Sequence, residues 1–230
     1  MNDHKKETCI LSFLTALNEN NSLEWMHSHK DFQKEASAQF QELLQEIIGD
    51  LALTDPALAH LKAGDLVFKL NRDTPFSHDK SPYNPSFRAH ISPAGRLPVP
   101  VGYYLHISPG HTFLGGGLYA SMFKDATSRL RDYLQANGEE FLDIINTPEF
   151  QDSFVLTGEK LKNVPRGYDD SLPQSEYLKY KCIAIEHFVD DSMLSDVDSF
   201  RDYAVRKFLD MRDFNGYINR ALDGFVMPSR

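Results

Sequence analysis

Apolar residues recur at helical spacing near both ends of the chain and at every second position in its middle. Ile10, Phe13, Leu14 and Leu17 fall on one helical face. Asn21, with Glu24 three residues later, has the form of a capping box and predicts a second helix carrying Trp25. A longer helix follows, with Phe32, Ala36, Phe40, Leu43, Leu44, Ile47 and Ile48 on one side and an end near Gly49-Asp50. Thr54 or Asp55 before Pro56 marks a short helix start. From residue 66 the period changes to two, which predicts strands over Leu66–Asn71, Phe87–Ser92 and Val101–Ser108. Thr112–Ala120, weakened by Gly115-Gly116-Gly117, and Cys182–Val189 are two further expected strands. Helical patterns return at 122–136 and 139–146, and Thr147-Pro148 can open another short turn. Residues 157–181 read as irregular, with a short helix over 175–180, and a helical stretch broken near Arg212-Asp213 ends the chain.

Helices, then clustered strands, then helices describe an α+β protein rather than a parallel β-α-β array. The expected fold is a single domain over residues 1–230: a central, mostly antiparallel sheet with helices packed on one face, and N- and C-terminal helical segments. Residues 1–8, which are polar, are expected to be a flexible N-terminus.

The expected strands carry a functional implication. Leu66, Phe68, Leu70, Phe87, Ala89, Ile91, Val101, Tyr103, Leu105 and Ile107 alternate onto the face that packs on helices. Lys69, Asn71, Arg88, His90, Tyr104 and His106 fall on the other. Cations, imidazoles and a phenol suit a solvent-lined pocket for an anionic or polar ligand. They also suit the ordinary wet face of an antiparallel sheet. The segment 71–85 joins two expected strands and holds three prolines, so it reads as an organised loop rather than a tight hairpin.

Charge sharpens this picture. The chain has 24 Lys and Arg against 33 Asp and Glu, a net charge of −9, which argues against nucleic acid or an anionic membrane as a partner. Residues 62–104 reverse the balance, with six cations and three acids. No apolar run reaches the roughly 18–20 residues of a membrane span, and the N-terminus lacks the pattern of a signal peptide. The two cysteines, Cys9 and Cys182, are far apart and form no CxxC pair. The expectation is a soluble, cytoplasmic protein with reduced thiols.

At these residues the chain resembles the family called domain of unknown function 2461, found in bacteria and fungi, over roughly 10–222. The resemblance is carried by Phe13-Leu14 with Asn20-Asn21 and Trp25, by Phe68-Lys69-Leu70-Asn71-Arg72-Asp73 with 76–83, by Tyr103 to Gly117, and by 161–169 with 177–181. Pro75 and Asn84 stand where the family often has arginine and lysine, which removes positive charge from the loop. The resemblance implies a fold and a candidate site, and no activity, cofactor or substrate.

The chemistry on offer is that of binding. Arg72 and Lys80 can hold phosphate or carboxylate, with Asp73 and Asp79 either orienting them or bracing the loop as ion pairs. Lys162 and Arg166, with Tyr168, Lys179 and Lys181, form a second cationic and aromatic group. Nine histidines come without a compact ligand motif, so no metal site is expected, and no cofactor motif is present. The glycine triplet lacks phosphate-loop spacing and reads as a bulge or a close backbone approach. The leading expectation is a small anionic or polar ligand in a basic and aromatic pocket formed by the polar sheet face and the 71–84 and 161–168 loops. Its candidate residues are Lys69, Arg72, Lys80, Tyr83, Arg88, His90, Tyr104, His106, Lys162 and Arg166, with His106 or Asp79 as the acid/base group of any reaction. The alternative is a non-catalytic interaction module for a protein or single-stranded nucleic acid, stacking on Phe76, Tyr83 and Tyr104.

Overall fold

The alternation of apolar and polar residues in the middle of the chain becomes a five-stranded antiparallel sheet, and the 3.6-residue pattern at its ends becomes helix. The computed structural model describes residues 8–73 and 78–228. Among these, α1 (Ile10–Glu19), α2 (Leu23–Ser28), α3 (Lys30–Ala52) and α4 (Ala63–Leu66) precede β1 (Phe87–Ile91), β2 (Tyr103–Ile107) and β3 (Thr112–Gly117). Next come α5 (Lys124–Ala136), α6 (Gly138–Ile145), α7 (Pro148–Ser153), β4 (Val155–Thr157), α8 (Ser175–Leu178) and β5 (Ala184–Val189), then α9 (Val197–Asp210) and α10 (Arg212–Ala221). The strand order is β1-β2-β3-β5-β4, and the architecture is α+β. The N-terminus expected to be flexible lies, up to residue 7, outside the described residues. No described helix is long and apolar enough to cross a membrane.

The chain divides into two units. The first runs through Ile91 and adds Tyr104–Leu114 and Phe188–Arg206. Here α3 packs on β1, with Phe40 and Phe13 stacked on Phe87 at 5.1 and 5.9 Å. Each such buried ring contributes about 1.5–3 kcal/mol. The face expected to be apolar is so: Phe87, Ala89, Ile91, Leu105 and Ile107 are buried.

The second unit takes Ser92–Tyr103, Gly115–His187 and the residues from Lys207 on. There the glycine triplet is a close backbone approach. A Cβ on Gly116 would lie 2.8 Å from Asn215 Oδ1, and Gly117 has φ +86 with Ile183 O 2.6 Å from a would-be Cβ. Asn215 of α10 is buried, accepts from Gly117 N at 2.7 Å and donates to Gly102 O at 3.0 Å. One turn on, Asn219 accepts from Val101 N at 2.8 Å and donates to Val101 O at 3.0 Å. A stripe of two asparagines thus joins α10 to backbone that would otherwise lack partners.

Three expectations are corrected. The strand over Leu66–Asn71 does not form: Leu66 ends α4, and the residues after it meet their neighbours only in isolated bridges, Val67 opposite Ala89 and Asn71 opposite Tyr83. Pro82 and Pro85 flank Tyr83 and have no N–H, so a continuous ladder is impossible. Asn21 does not cap α2, because Ser22 Oγ accepts from Trp25 N at 3.1 Å instead. Asn21 donates to Tyr83 O at 2.9 Å and accepts from Tyr83 N at 3.1 Å. Residues 157–181 are not wholly irregular: β4 reaches Thr157 and pairs with β5, Thr157 opposite Ala184, and Lys160 bridges to Tyr180.

Candidate functional site

The loop that carries the densest motif is braced by its own charges. Arg72 Nη1 donates to Asp79 in an ion pair, and Asp79 Oδ1 accepts from Ser81 N at 2.9 Å and Ser81 Oγ at 2.6 Å. These bonds, Ser81 first and Arg72 after, hold the Asp79 carboxyl well below the usual carboxylate range. Arg72 N donates to Pro82 O at 2.9 Å and Asn84 N to Leu70 O at 2.7 Å, which closes the loop at its base. Tyr83 is buried and its backbone is taken up by Asn21, whereas Lys80 is exposed. Thr74–Ser77, with the family departure at Pro75 and the stacking candidate Phe76, lie outside the described residues. The two readings of Arg72 and Asp79 therefore separate, and their geometry is that of bracing.

The outward face of the sheet in the first unit holds different chemistry. Tyr104 and His106 project from β2, and both pack on Phe113 of β3. The His106 imidazole lies parallel to the Phe113 ring at 4.6 Å and 13°. His111 meets His106, Phe113 and Phe188 edgewise or tilted, between 5.3 and 6.0 Å. At the other end Phe68 packs on Tyr104 at 6.1 Å. Phe68, expected on the inner face, lines the space beside Phe40 and Phe87 there and also reaches Tyr104 on the outward face. Arg88 lies beside it, its guanidinium 5.8 Å from the Phe68 centroid, with Nη2 donating to Lys69 O at 3.1 Å. Arg88 Nε is buried and meets no acceptor among the described residues. Tyr104 and His106 are half-buried, His111 is exposed and Phe188 is 47% exposed. His90, expected at the solvent-lined surface, is buried.

Burial, then Coulombic repulsion from Arg88 and from His111, hold the His106 imidazole down to a pKa of about 4. At neutral pH His106 is therefore an uncharged ring that can both donate and accept a hydrogen bond. Neither acid/base candidate is poised near neutrality: Asp79 stays ionised and engaged, and His106 is a weak base.

In the second unit, Lys162 and Arg166 are exposed on the 161–168 loop. Tyr168 donates to Asp132 Oδ1 at 2.8 Å and is pushed up to about 12 by burial and by that bond. Lys179 pairs with Glu176 and Lys181 with Glu159. No three His, Cys, Asp or Glu side chains among the described residues converge as metal ligands would.

The alternation identified Arg88, Tyr104 and His106. It missed Phe68, His111, Phe113 and Phe188. The signal for two of these was present, since His111 and Phe113 continue the alternation into β3, but the Pro-Gly turn and the glycine triplet obscured it.

Comparison with known families finds one whose sequence model, described as conserved hypothetical protein (DUF2461), matches residues 9–217. No curated protein and no solved structure matches the chain.

Proposed function

We propose, for a chain that belongs to the conserved hypothetical family DUF2461 and takes no activity from it, that it binds a small planar anion on the outward face of the sheet in its first unit. The observation that carries this reading is the His106 ring stacked flat on Phe113, with Tyr104 alongside and the Arg88 guanidinium on the same face. Aromatic rings supply a stacking wall. Arg88 has one arm on Lys69 O and supplies the charge. His106 supplies a hydrogen bond, and an anion beside it favours its protonated form. Lys69 and Lys80 of the same unit would contribute attraction rather than direct grip. The reading places the protein in the cytoplasm, with a metabolite as ligand.

Benzoate, nicotinate, inorganic phosphate and a nucleoside monophosphate are the probes, followed by thermal shift and by the NMR signal of the His106 ring. The expected result is a saturable rise in Tm with a planar anion, absent in Arg88→Met and His106→Phe variants that fold normally. A ligand at 100 times its Kd stabilises by about 2.7 kcal/mol, which for a chain of this size is several degrees. No shift with any probe, or a shift that survives both substitutions, overturns the reading. The half-exposed Phe188 favours a second reading, an interaction surface for a protein partner. In that case Phe188→Ser abolishes partner capture and the small anions do nothing.

A further inference from the structure

In the first unit, α3 and the extended residues 67–71 flank a solvent-open cavity of about 220 Å³. Its polar lining is Gln33, Ser37 and Gln41 from the helix and Lys69 and Asn71 from the facing segment. The helix residues are spaced i, i+4, i+8, which stacks them in one stripe. The opposite wall is held extended by the Val67 and Asn71 bridges and by Phe68 N donating to Arg88 O at 2.8 Å. The cavity is thus built from fixed backbone on both sides.

How α3 uses its amides distinguishes this stripe. Gln39 accepts from Cys9 N at 2.8 Å and from Thr8 Oγ1 at 3.1 Å, and Gln45 accepts from Ala63 N at 3.0 Å. Those two glutamines bind protein. The side chains of Gln33, Ser37, Gln41, Lys69 and Asn71, which face the cavity, make no hydrogen bond or ion pair with any described residue.

The chemistry of the lining selects the ligand. Amides and a hydroxyl offer donors and acceptors together, the match for sugar hydroxyls, which are also both. Among the described residues Lys69 is the one charged side chain of the lining, so a ligand carboxylate is favoured. With no carboxylate among the described lining residues, an ammonium group gains no ion pair there. At about 30 Å³ per water, the space holds on the order of seven waters, the scale of one sugar ring. From these observations we infer that the α3 cavity is a binding site for a monosaccharide-sized sugar acid, separate from the outward face of the sheet.

The test is an NMR titration of the full chain with glucuronate, with glucose and glucosamine as the uncharged and oppositely charged counterparts. Glucuronate is expected to move the side-chain NH₂ signals of Gln33, Gln41 and Asn71 saturably. Lys69→Met, an exposed position that the fold tolerates, is expected to weaken glucuronate at least tenfold and to leave the weaker glucose response unchanged. Ser37→Phe fills the cavity and is expected to abolish both, with circular dichroism checking its fold. His106→Phe is expected to leave the glucuronate response intact, which separates this site from the proposed anion face. No saturable response of those amides to glucuronate, a response unaltered by Lys69→Met, or glucosamine binding as tightly as glucuronate overturns the inference.

Discussion

Protonating His106 sets a new positive charge against Arg88 in a half-buried, aromatic setting, and the cost is measurable. In the unfolded chain an imidazole takes up its proton near pH 6.5; in the fold His106 does so at about 4. Between those values the unfolded state holds the extra proton, so stability falls as pH falls through that window. It is fully present above about 6.5 and levels off once the folded ring protonates near 4. The full difference corresponds to at most about 3 kcal/mol. The ring is partly exposed and its field is screened, so the expected loss is about 1–2 kcal/mol.

Other groups titrate over the same range. His187 is held down by burial, and Asp79, Asp169, Glu176 and Asp190 are held down by hydrogen bonds. The quantity to measure is therefore the difference between wild type and His106→Phe, which keeps the stack on Phe113 and removes the proton. Urea unfolding at a series of pH values gives that difference, and the His106 ring signal gives the midpoint directly. A flat difference from pH 7 to pH 4, or a ring midpoint at the ordinary imidazole value, refutes the argument that Arg88, His111 and burial act together on this ring.

Four further outcomes test the framework around the site. Asn215→Ala strands Gly117 N and Gly102 O in the interior and is expected to cost about 2–5 kcal/mol in urea unfolding. Gly117→Ala meets Ile183 O at a positive φ and is expected to fold poorly or not at all by circular dichroism. At Gly115 the first obstacle is the Tyr119 hydroxyl, so Tyr119→Phe is expected to recover part of the Tm lost by Gly115→Ala. Asn21→Ala removes both contacts to Tyr83 and is expected to cost about 1–2 kcal/mol, with faster amide exchange at Tyr83.

Periodicity was a reliable guide where the backbone hydrogen bonds run within a helix or to a continuous neighbouring strand. The helices of α1, α3 and α10 and the strands β1 and β2 stand within a few residues of their expected positions. It failed at 66–71, where the side chains alternate as in a strand but the partner backbone is interrupted by two prolines. Residue alternation reports which way side chains face, not whether a ladder exists on the other side. β4 was invisible because three residues cannot show a period. Asn21 was misplaced because an amide that suits a helix cap suits a backbone bridge equally well, and only the fold brings Tyr83 to it. The two cavity-facing glutamines of α3 carried no signal: in sequence they look like any solvated helix face.

The division between braced and uncommitted charges decides where a ligand can act. Arg72 and Asp79 have the most distinctive sequence context, yet they neutralise each other, and a ligand reaching Arg72 would have to displace an acceptor already in place. Arg88 stands in the plainer strand Phe87–Ile91, but it spends one arm on a backbone carbonyl and keeps its charge. Lys69, beside the α3 cavity, also keeps its charge, with no ion pair to any described residue. The loop motif then acts at one remove: by closing through Arg72 N on Pro82 O and Asn84 N on Leu70 O, it fixes the extended segment. That segment presents Phe68 to Tyr104 of the sheet face and to the cavity, and Lys69 to the cavity. On this argument, loosening the loop by Asp79→Asn would weaken binding at both places while touching neither. A substitution at Arg88 or Lys69 would weaken binding at one alone.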